Sequence, residues 1–383
     1  MTNKIEDYNI ILVNLDGLRN DKVQLSPTLE KLKENSYNFS EINTVATYTF
    51  ASLHALFSGN YPSKNGVNAY YNIFNFKSNE TTTMAEILKS SGYYTCCDII
   101  SKSVSPKQGY DEYNLFDEEK INFSERHKKL IQKLSKKEKF FLFLHYTETH
   151  KNLVREIVKK YQQDSIEDDF HKSQNENQER YNSYMPSCEN YVSTILNTIK
   201  ETGIDEKTIV IFFSDHGTSI GEKIGEKFYG VFLYDYTLKV FCIMHIPNHV
   251  PKVLDNVCST IDIFPTILEI AGIKENQIKQ KIQGKSLFEF IDDPNTPSRD
   301  IFAETGGLYG PWPSPKKHNV FCIKSNNRKL IYNDTPKLWE FYDLNTDPDE
   351  LNNIYDPNLI QIKSMKSKLH DFFTENKIPI KLD

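Results

Sequence analysis

Residues Thr47–Pro62 read TYTFASLHALFSGNYP, a hydroxyl residue at the mouth of an apolar helix. Leu53, Leu56 and Phe57 recur at helical spacing after Thr49, and Gly59 stands where a left-handed glycine ends such a run. A hydroxyl in that first turn lies beside unpaired backbone N–H groups and the positive end of the helix dipole. An anion attacked there is stabilised, which points to phosphate or sulfate chemistry. A threonine ahead of a helix also serves as a plain N-cap, so the stretch acquires catalytic meaning only from its surroundings.

Two buried-strand runs supply those surroundings. NIILVNL (Asn9–Leu15) ends in Asp16-Gly17-Leu18-Arg19, and TIVIFF (Thr208–Phe213) ends in Ser214-Asp215-His216-Gly217. Ligands of a parallel sheet gather at the carboxyl ends of its strands, so two acid-bearing strand ends and one hydroxyl suit a metal site. Helical and strand patterns alternate around them. Ser26 and Pro27 open a helix carrying Leu29 and Leu32, TMAEILKSSG reads as helix, and YYTCCDII and KFFLFLH (Lys139–His145) read as strands. This predicts an α/β fold with a mostly parallel sheet and helices on both faces.

Further along, residues 181–202 read as helix, 238–246 as strand and 263–271 as helix despite Pro265. Residues 151–180 are strongly polar with little apolar periodicity, and are expected to form an insertion or mobile lid. The composition shifts at PNTPSRD. NVFCIKS, RKLIYN and LWEFYDL then read as short antiparallel strands before an amphipathic helix from about Leu359 to Asn376. We divide the chain into a catalytic domain, 1–297, and a small C-terminal α+β subdomain, 298–383.

The 383 residues suffice for a substantial core, and 46 Lys plus Arg against 52 Asp plus Glu give a net charge of -6. That balance argues against a nucleic-acid partner. No run of eighteen apolar residues occurs and the N-terminus is polar, so no membrane span and no export are expected. Six cysteines lack metal-finger spacing and read as buried free thiols, which predicts a cytoplasmic location.

Five motifs in order resemble the sulfatase branch of the alkaline phosphatase superfamily. These are Asp16 after the first strand, Thr49-Phe50-Ala51-Ser52 with SGNYP, Asp215-His216-Gly217, TIDIFPTILEIAG near residue 265, and the closing LWEFYDLNTDPDELNN. The resemblance implies an alkaline-phosphatase-like fold and one divalent metal on Asp16, Thr49, Asp215 and His216. Two carboxylates and one imidazole suit Mn, Zn, Mg or Ca, with Mn or Zn favoured. Coordination would activate Thr49 as a nucleophile giving a covalent intermediate. His150 in HYTETH matches the family's leaving-group histidine and would act as general acid, whereas His145 reads as a core histidine. Arg19 would grip substrate oxygens in a bidentate pair, Lys223 and Lys227 would act as point charges, and His318 would close the site from the second subdomain.

The chain also departs from the family pattern. Gly17 replaces a second metal-binding Asp, Tyr229 replaces a His before Gly, and no Asp stands four positions before His150, which leaves one metal rather than two. Thr49 stands where true sulfatases carry the Cys or Ser that becomes formylglycine. The leading expectation is therefore hydrolysis of a phosphate ester or diester, or a related sulfate or phosphonate ester. A soluble phosphoglycerol or phosphoethanolamine transferase acting on a glycan or lipid, a sulfuric ester hydrolase and an inactive binding module are the alternatives. Tyr309 and Trp312 are candidate platforms for a small-molecule or glycan substrate, or else packing between the subdomains.

Overall fold

The computed structural model describes residues 8–68, 75–153, 155–156, 167–274, 278, 280–293, 295–307 and 318–382. Nine strands build the larger layers: β1 (Asn9–Leu15), β2 (Tyr37–Phe39), β3 (Ile42–Asn43), β4 (Tyr94–Ile99), β5 (Glu112–Leu115), β6 (Phe140–Tyr146), β7 (Thr208–Phe213), β8 (Cys242–His245) and β9 (Lys252–Leu254). Eight of them form one sheet in the order β5-β4-β6-β1-β7-β8-β2-β9, and β3 pairs separately with β10 (Cys258–Ser259). Strands β5, β4, β6, β1 and β7 run parallel, and β8 is reversed against both of its neighbours.

The apolar runs bury both faces because alternate side chains feed two cores. Ile11, Val13, Leu142, Leu144, Val210 and Phe212 face one core, where the helices Pro27–Glu34, Phe123–Leu134 and Met185–Glu201 pack. Ile10, Leu12, Phe141, Phe143, Ile209 and Ile211 face the other, under Thr49–Ser58, Met84–Ser90 and Ile263–Ile270. Beyond residue 300 an antiparallel sheet, β11 (Ile301–Gly307), β12 (His318–Ser325), β13 (Arg328–Asn333) and β14 (Leu338–Asp343), is covered by the helix Ile360–Asn376.

Three local differences have physical reasons. The helix read over 181–202 breaks at Ser183–Tyr184, because Pro186 has no N–H to donate and sits in the first turn of Met185–Glu201. Only Cys242–His245 of the 238–246 run is strand. Its start is held as a helical turn, Asp235–Leu238, whose Asp235 is pinned by Lys324 and Lys329 from the C-terminal sheet. The segment expected to be a lid is not open loop where it is described. It carries helices Glu148–Leu153, Glu167–Lys172 and Gln174–Asn182, and Asn177 Nδ2 donates to the carbonyls of Phe170 (3.0 Å) and Ile220 (3.1 Å). Phe170 and Asn177 are buried, so two inward side chains anchor a polar segment. Residues 154 and 157–166 lie outside the described residues.

Candidate metal centre and nucleophile

The three adjacent central strands deliver the site. β1 leads to Asp16, β7 leads to Asp215 and His216, and β6 leads to the helix that carries His150. Asp16 N donates to the Tyr146 carbonyl at 3.0 Å, which fixes the turn after β1 against β6. Gly17 continues that turn at φ +65, a left-handed conformation that disfavours other residues. A Cβ there would meet Thr218 Oγ1 at 3.1 Å, His150 Cδ2 at 3.4 Å and His216 Cε1 at 3.5 Å. The position expected to hold a second acid in related sequences is here a space bounded by catalytic candidates.

Asp16, Asp215 and His216 are buried, and each presents one ligand atom within 4.8 Å of the others. Asp215 Oδ1 accepts from Gly17 N (3.2 Å) and His216 N (3.1 Å), leaving Oδ2 with no hydrogen-bond partner among the described residues. Asp16 Oδ1 is likewise buried and unpartnered, 3.6 Å from His216 Nε2. His216 Nδ1 lies 2.7 Å from the Gly217 carbonyl and so carries the proton, which turns the lone pair of Nε2 toward the two acids. Two orphaned carboxylate oxygens and an imidazole nitrogen converging in a buried space fit a divalent cation.

Burial presses both acids toward their neutral forms. At Asp16 the charges of His150, His145 and His216 and the His145 hydrogen bond overcome it, and the carboxyl is held well below the usual range. At Asp215 burial and the negative Asp16 prevail over the nearby imidazoles, and its pKa rises. The centre thus holds an acid pair that resists double ionisation without a cation.

Thr49 is the first residue of Thr49–Ser58, and Tyr48 occupies the cap position without a side-chain cap hydrogen bond. The threonine does not cap its helix. Its Oγ1 lies 3.2 Å from His216 Nε2 and 3.5 Å from Asp16 Oδ2. Ser52 Oγ, one turn on, donates to the Asp215 carbonyl at 2.8 Å and ties the helix to the β7 end. Gly59 ends the helix at φ 65, as its sequence position predicts.

His150 completes this wall. Its Nε2 is buried without a hydrogen-bond partner among the described residues, and its ring lies 6.2 Å from that of His216 and 5.1 Å from that of Tyr229. Tyr229 in turn lies 4.6 Å from His216, ring to ring. The structure therefore brings Asp16, Thr49, His150, Asp215, His216 and Tyr229 together.

Arg19 is a correction. Its guanidinium is buried and spent on Asp21 (Nε to Oδ1, 2.8 Å), the Thr218 carbonyl (2.7 Å) and Glu222, so it braces the 218–222 loop rather than gripping substrate. Lys223 is a second correction. Its Nζ donates to the Glu350 carbonyl and lies 4.7 Å from the Tyr234 ring centre, tied to the C-terminal segment. Lys227 is buried two residues before Tyr229. His318 starts β12 opposite Gly307, while its side chain and both Tyr309 and Trp312 lie outside the described residues.

His145, read as a core histidine, also reaches Asp16. Its ring is fully buried, as a core reading requires, yet Nε2 lies 2.7 Å from Asp16 Oδ2. The available signal was a lone polar residue in the continuous apolar run of β6.

A family model described as Sulfatase matches residues 9–273, and one described as N-sulphoglucosamine sulphohydrolase, C-terminal, matches residues 225–377. Arylsulfatase K of Xenopus laevis is 26% identical over 207 residues, 52% of this chain and 37% of the relative. N-acetylglucosamine-6-O-sulfatase of Bacteroides thetaiotaomicron is 28% identical over 171 residues, 43% of this chain and 29% of the relative. The matched segments thus span about a third of these relatives' own lengths. A protein solved in complex with its substrate D-glucosamine-2-N,6-O-disulfate shares the fold at a TM-score of 0.78, with 98% of this chain and 99% of that chain covered at 16% identity.

Proposed function

The chain belongs to the sulfatase family, and from that premise we propose that it is a metal-dependent ester hydrolase, acting first on sulfate esters of sugar or aryl alcohols, with Thr49 as nucleophile. The observation that carries this reading is Thr49 Oγ1 at a helix N-terminus, 3.2 Å from His216 Nε2 and 3.5 Å from Asp16 Oδ2, next to a carboxylate whose other oxygen, Oδ1, is orphaned. Asp16, Asp215 and His216 would hold a Mn or Zn ion, which when bound supplies positive charge that favours the Thr49 alkoxide and offsets charge on the transferring group. The positive end of the helix dipole adds to that charge.

With its proton lost to solvent, Thr49 Oγ attacks sulfur as the alkoxide, the bond from sulfur to the ester oxygen breaks, and protonated His150 gives its proton to the departing oxygen and regains one from solvent. Water then attacks the sulfur of the threonyl sulfate, freeing Thr49 and hydrogen sulfate. The relative named N-acetylglucosamine-6-O-sulfatase supports a sugar sulfate as substrate. Six buried free cysteines favour a reducing, cytoplasmic setting for this enzyme.

One observation favours a second reading, phosphate monoester or diester cleavage. A threonine side chain is a secondary alcohol, so oxidation cannot give the aldehyde of formylglycine. Release must then run through water attack on the central atom, a step suited to a phosphothreonine.

The test is turnover of p-nitrophenyl sulfate, phosphate, phosphate diester and phosphonate by metal-stripped protein supplied with Mn, Zn, Mg or Ca. Sulfatase activity restored by Mn or Zn and abolished in Thr49→Ala, with folding and metal binding kept, supports the first reading. Activity on phosphorus esters alone selects the second. Undiminished turnover by Thr49→Ala would remove the nucleophile from both.

A further inference from the structure

A histidine in the middle of FFLFLHY is costly unless its polar atoms are used, because desolvating an imidazole without a partner is unfavourable. In β6 every neighbour of His145 is buried, and the ring leans on Phe143 and Phe116 at centroid distances of 6.4 and 6.5 Å. Among the described residues its one polar contact with a side chain is Nε2 to Asp16 Oδ2, at 2.7 Å. The parallel register explains the meeting. Asn14 pairs with His145 and Leu15 with Tyr146, so the chain leaving β1 passes Asp16 over the histidine.

The two oxygens of Asp16 have different surroundings. Oδ2 faces His145 Nε2 and, at 3.5 Å, the Thr49 hydroxyl, while Oδ1 has no hydrogen-bond partner and points toward His216 Nε2 at 3.6 Å. A carboxylate with one oxygen held by a strong donor cannot turn freely about its Cβ–Cγ bond, and presents the other oxygen in a fixed direction.

We propose that His145 is a positioning residue for Asp16: its Nε2–H holds Oδ2 so that Oδ1 alone faces the cation. This rests on the metal centre proposed above. The device matters in a chain where Gly17 brings no second carboxylate to the turn, because the single acid of β1 must then be aimed without help. Asp215 is aimed differently, by two backbone N–H groups on its own Oδ1. Each acid of the centre thus has one oxygen occupied by the protein and one left over.

The experiment is a titration of the metal-stripped full chain with Mn and with Zn, read as a dissociation constant by calorimetry, for wild type, His145→Leu and His145→Gln. Glutamine keeps an N–H donor near the place of Nε2, and leucine fills the volume without one. The expected result is a 10–100-fold weaker dissociation constant in His145→Leu, with His145→Gln recovering most of it. Urea midpoints measured in EDTA should stay close together for the three proteins. His145→Phe provides the same comparison if leucine packs poorly. Leucine binding within twofold of wild type, or glutamine as weak as leucine, would overturn the positioning role. No binding by wild type would overturn the metal centre and the role of His145 with it, whereas turnover tests of Thr49 address the hydrolase reading separately.

Discussion

Replacing Glu304 by glutamine should stabilise the protein at neutral pH and leave it unchanged in mild acid. Glu304 lies in β11, is 5% exposed, and none of the ion pairs among the described residues includes it. Its partners are the Ser63 backbone N–H at 2.7 Å and the Ser63 hydroxyl, in the first turn of the short helix Pro62–Asn65. Burial outweighs these two donors and raises the carboxyl from 4.5 to about 7. Below pH 4.5 the acid is protonated in both the folded and unfolded chains and contributes no difference. As pH climbs from 4.5 to 7 the unfolded chain ionises while the folded one keeps its proton, so stability falls. A displacement of that size corresponds to about 3 kcal/mol, reached near pH 7 and constant above it. Glutamine keeps the shape, accepts from the Ser63 N–H, donates to the Ser63 hydroxyl and does not titrate. Urea unfolding of both proteins from pH 4 to 8 should show the variant's advantage growing from nothing to a few kcal/mol across that window. A stability difference that stays flat with pH would refute the argument that Glu304 folds in its neutral form.

Two further outcomes follow from the centre itself. Gly17→Ala places a Cβ in a left-handed residue and against Thr218, His150 and His216, and should cost about 1–2 kcal/mol from backbone strain alone; thermal unfolding and metal titration should both register it, and an unshifted metal affinity would count against the packing described for Gly17. Adding Mn or Zn to stripped protein at a hundred times its dissociation constant should stabilise the fold by about 2.7 kcal/mol. A melting temperature indifferent to EDTA would show that Asp16 and Asp215 do not share an ion.

The sequence carried the scaffold of the site better than its supports. NIILVNL, KFFLFLH and TIVIFF are continuous apolar runs that only a sheet buried on both faces explains, and the acids that follow two of them could be read directly. Arg19 was legible as a cation near Asp16, but its partner Glu222 lies 203 residues away and no local pattern announces it. Lys223 was misjudged for the same reason, since the carbonyl it meets belongs to Glu350. His145 stayed hidden because the cue for a core residue, apolar neighbours on both sides, is also the setting of a histidine that reaches an acid just past the end of the neighbouring strand. The short helices before residue 180 were hidden in a polar stretch because they need few inward residues, and Phe170 and Asn177 suffice there.

The helix that begins with Thr49 serves both halves of the molecule, with Leu53, Leu56 and Phe57 in the core under the large sheet and Ala55 in the C-terminal cluster. Ala55 and Tyr61 belong to the same apolar cluster as Phe321, Tyr332 and Phe372, and Tyr61 meets Phe372 edge to face at 4.9 Å. The hydroxyl proposed above as the nucleophile is therefore carried by a helix that packs against the C-terminal subdomain as well as under the large sheet. Modularity is lost as a result. Under the proposed function, a C-terminal half exchanged by recombination for that of a distant relative would disturb the packing around Ala55 and Tyr61, and with it the placing of Thr49, even with Asp16, Asp215 and His216 untouched. Variation in the small half is then better borne by its outer loops than by Phe302 and Phe372, which meet Tyr61.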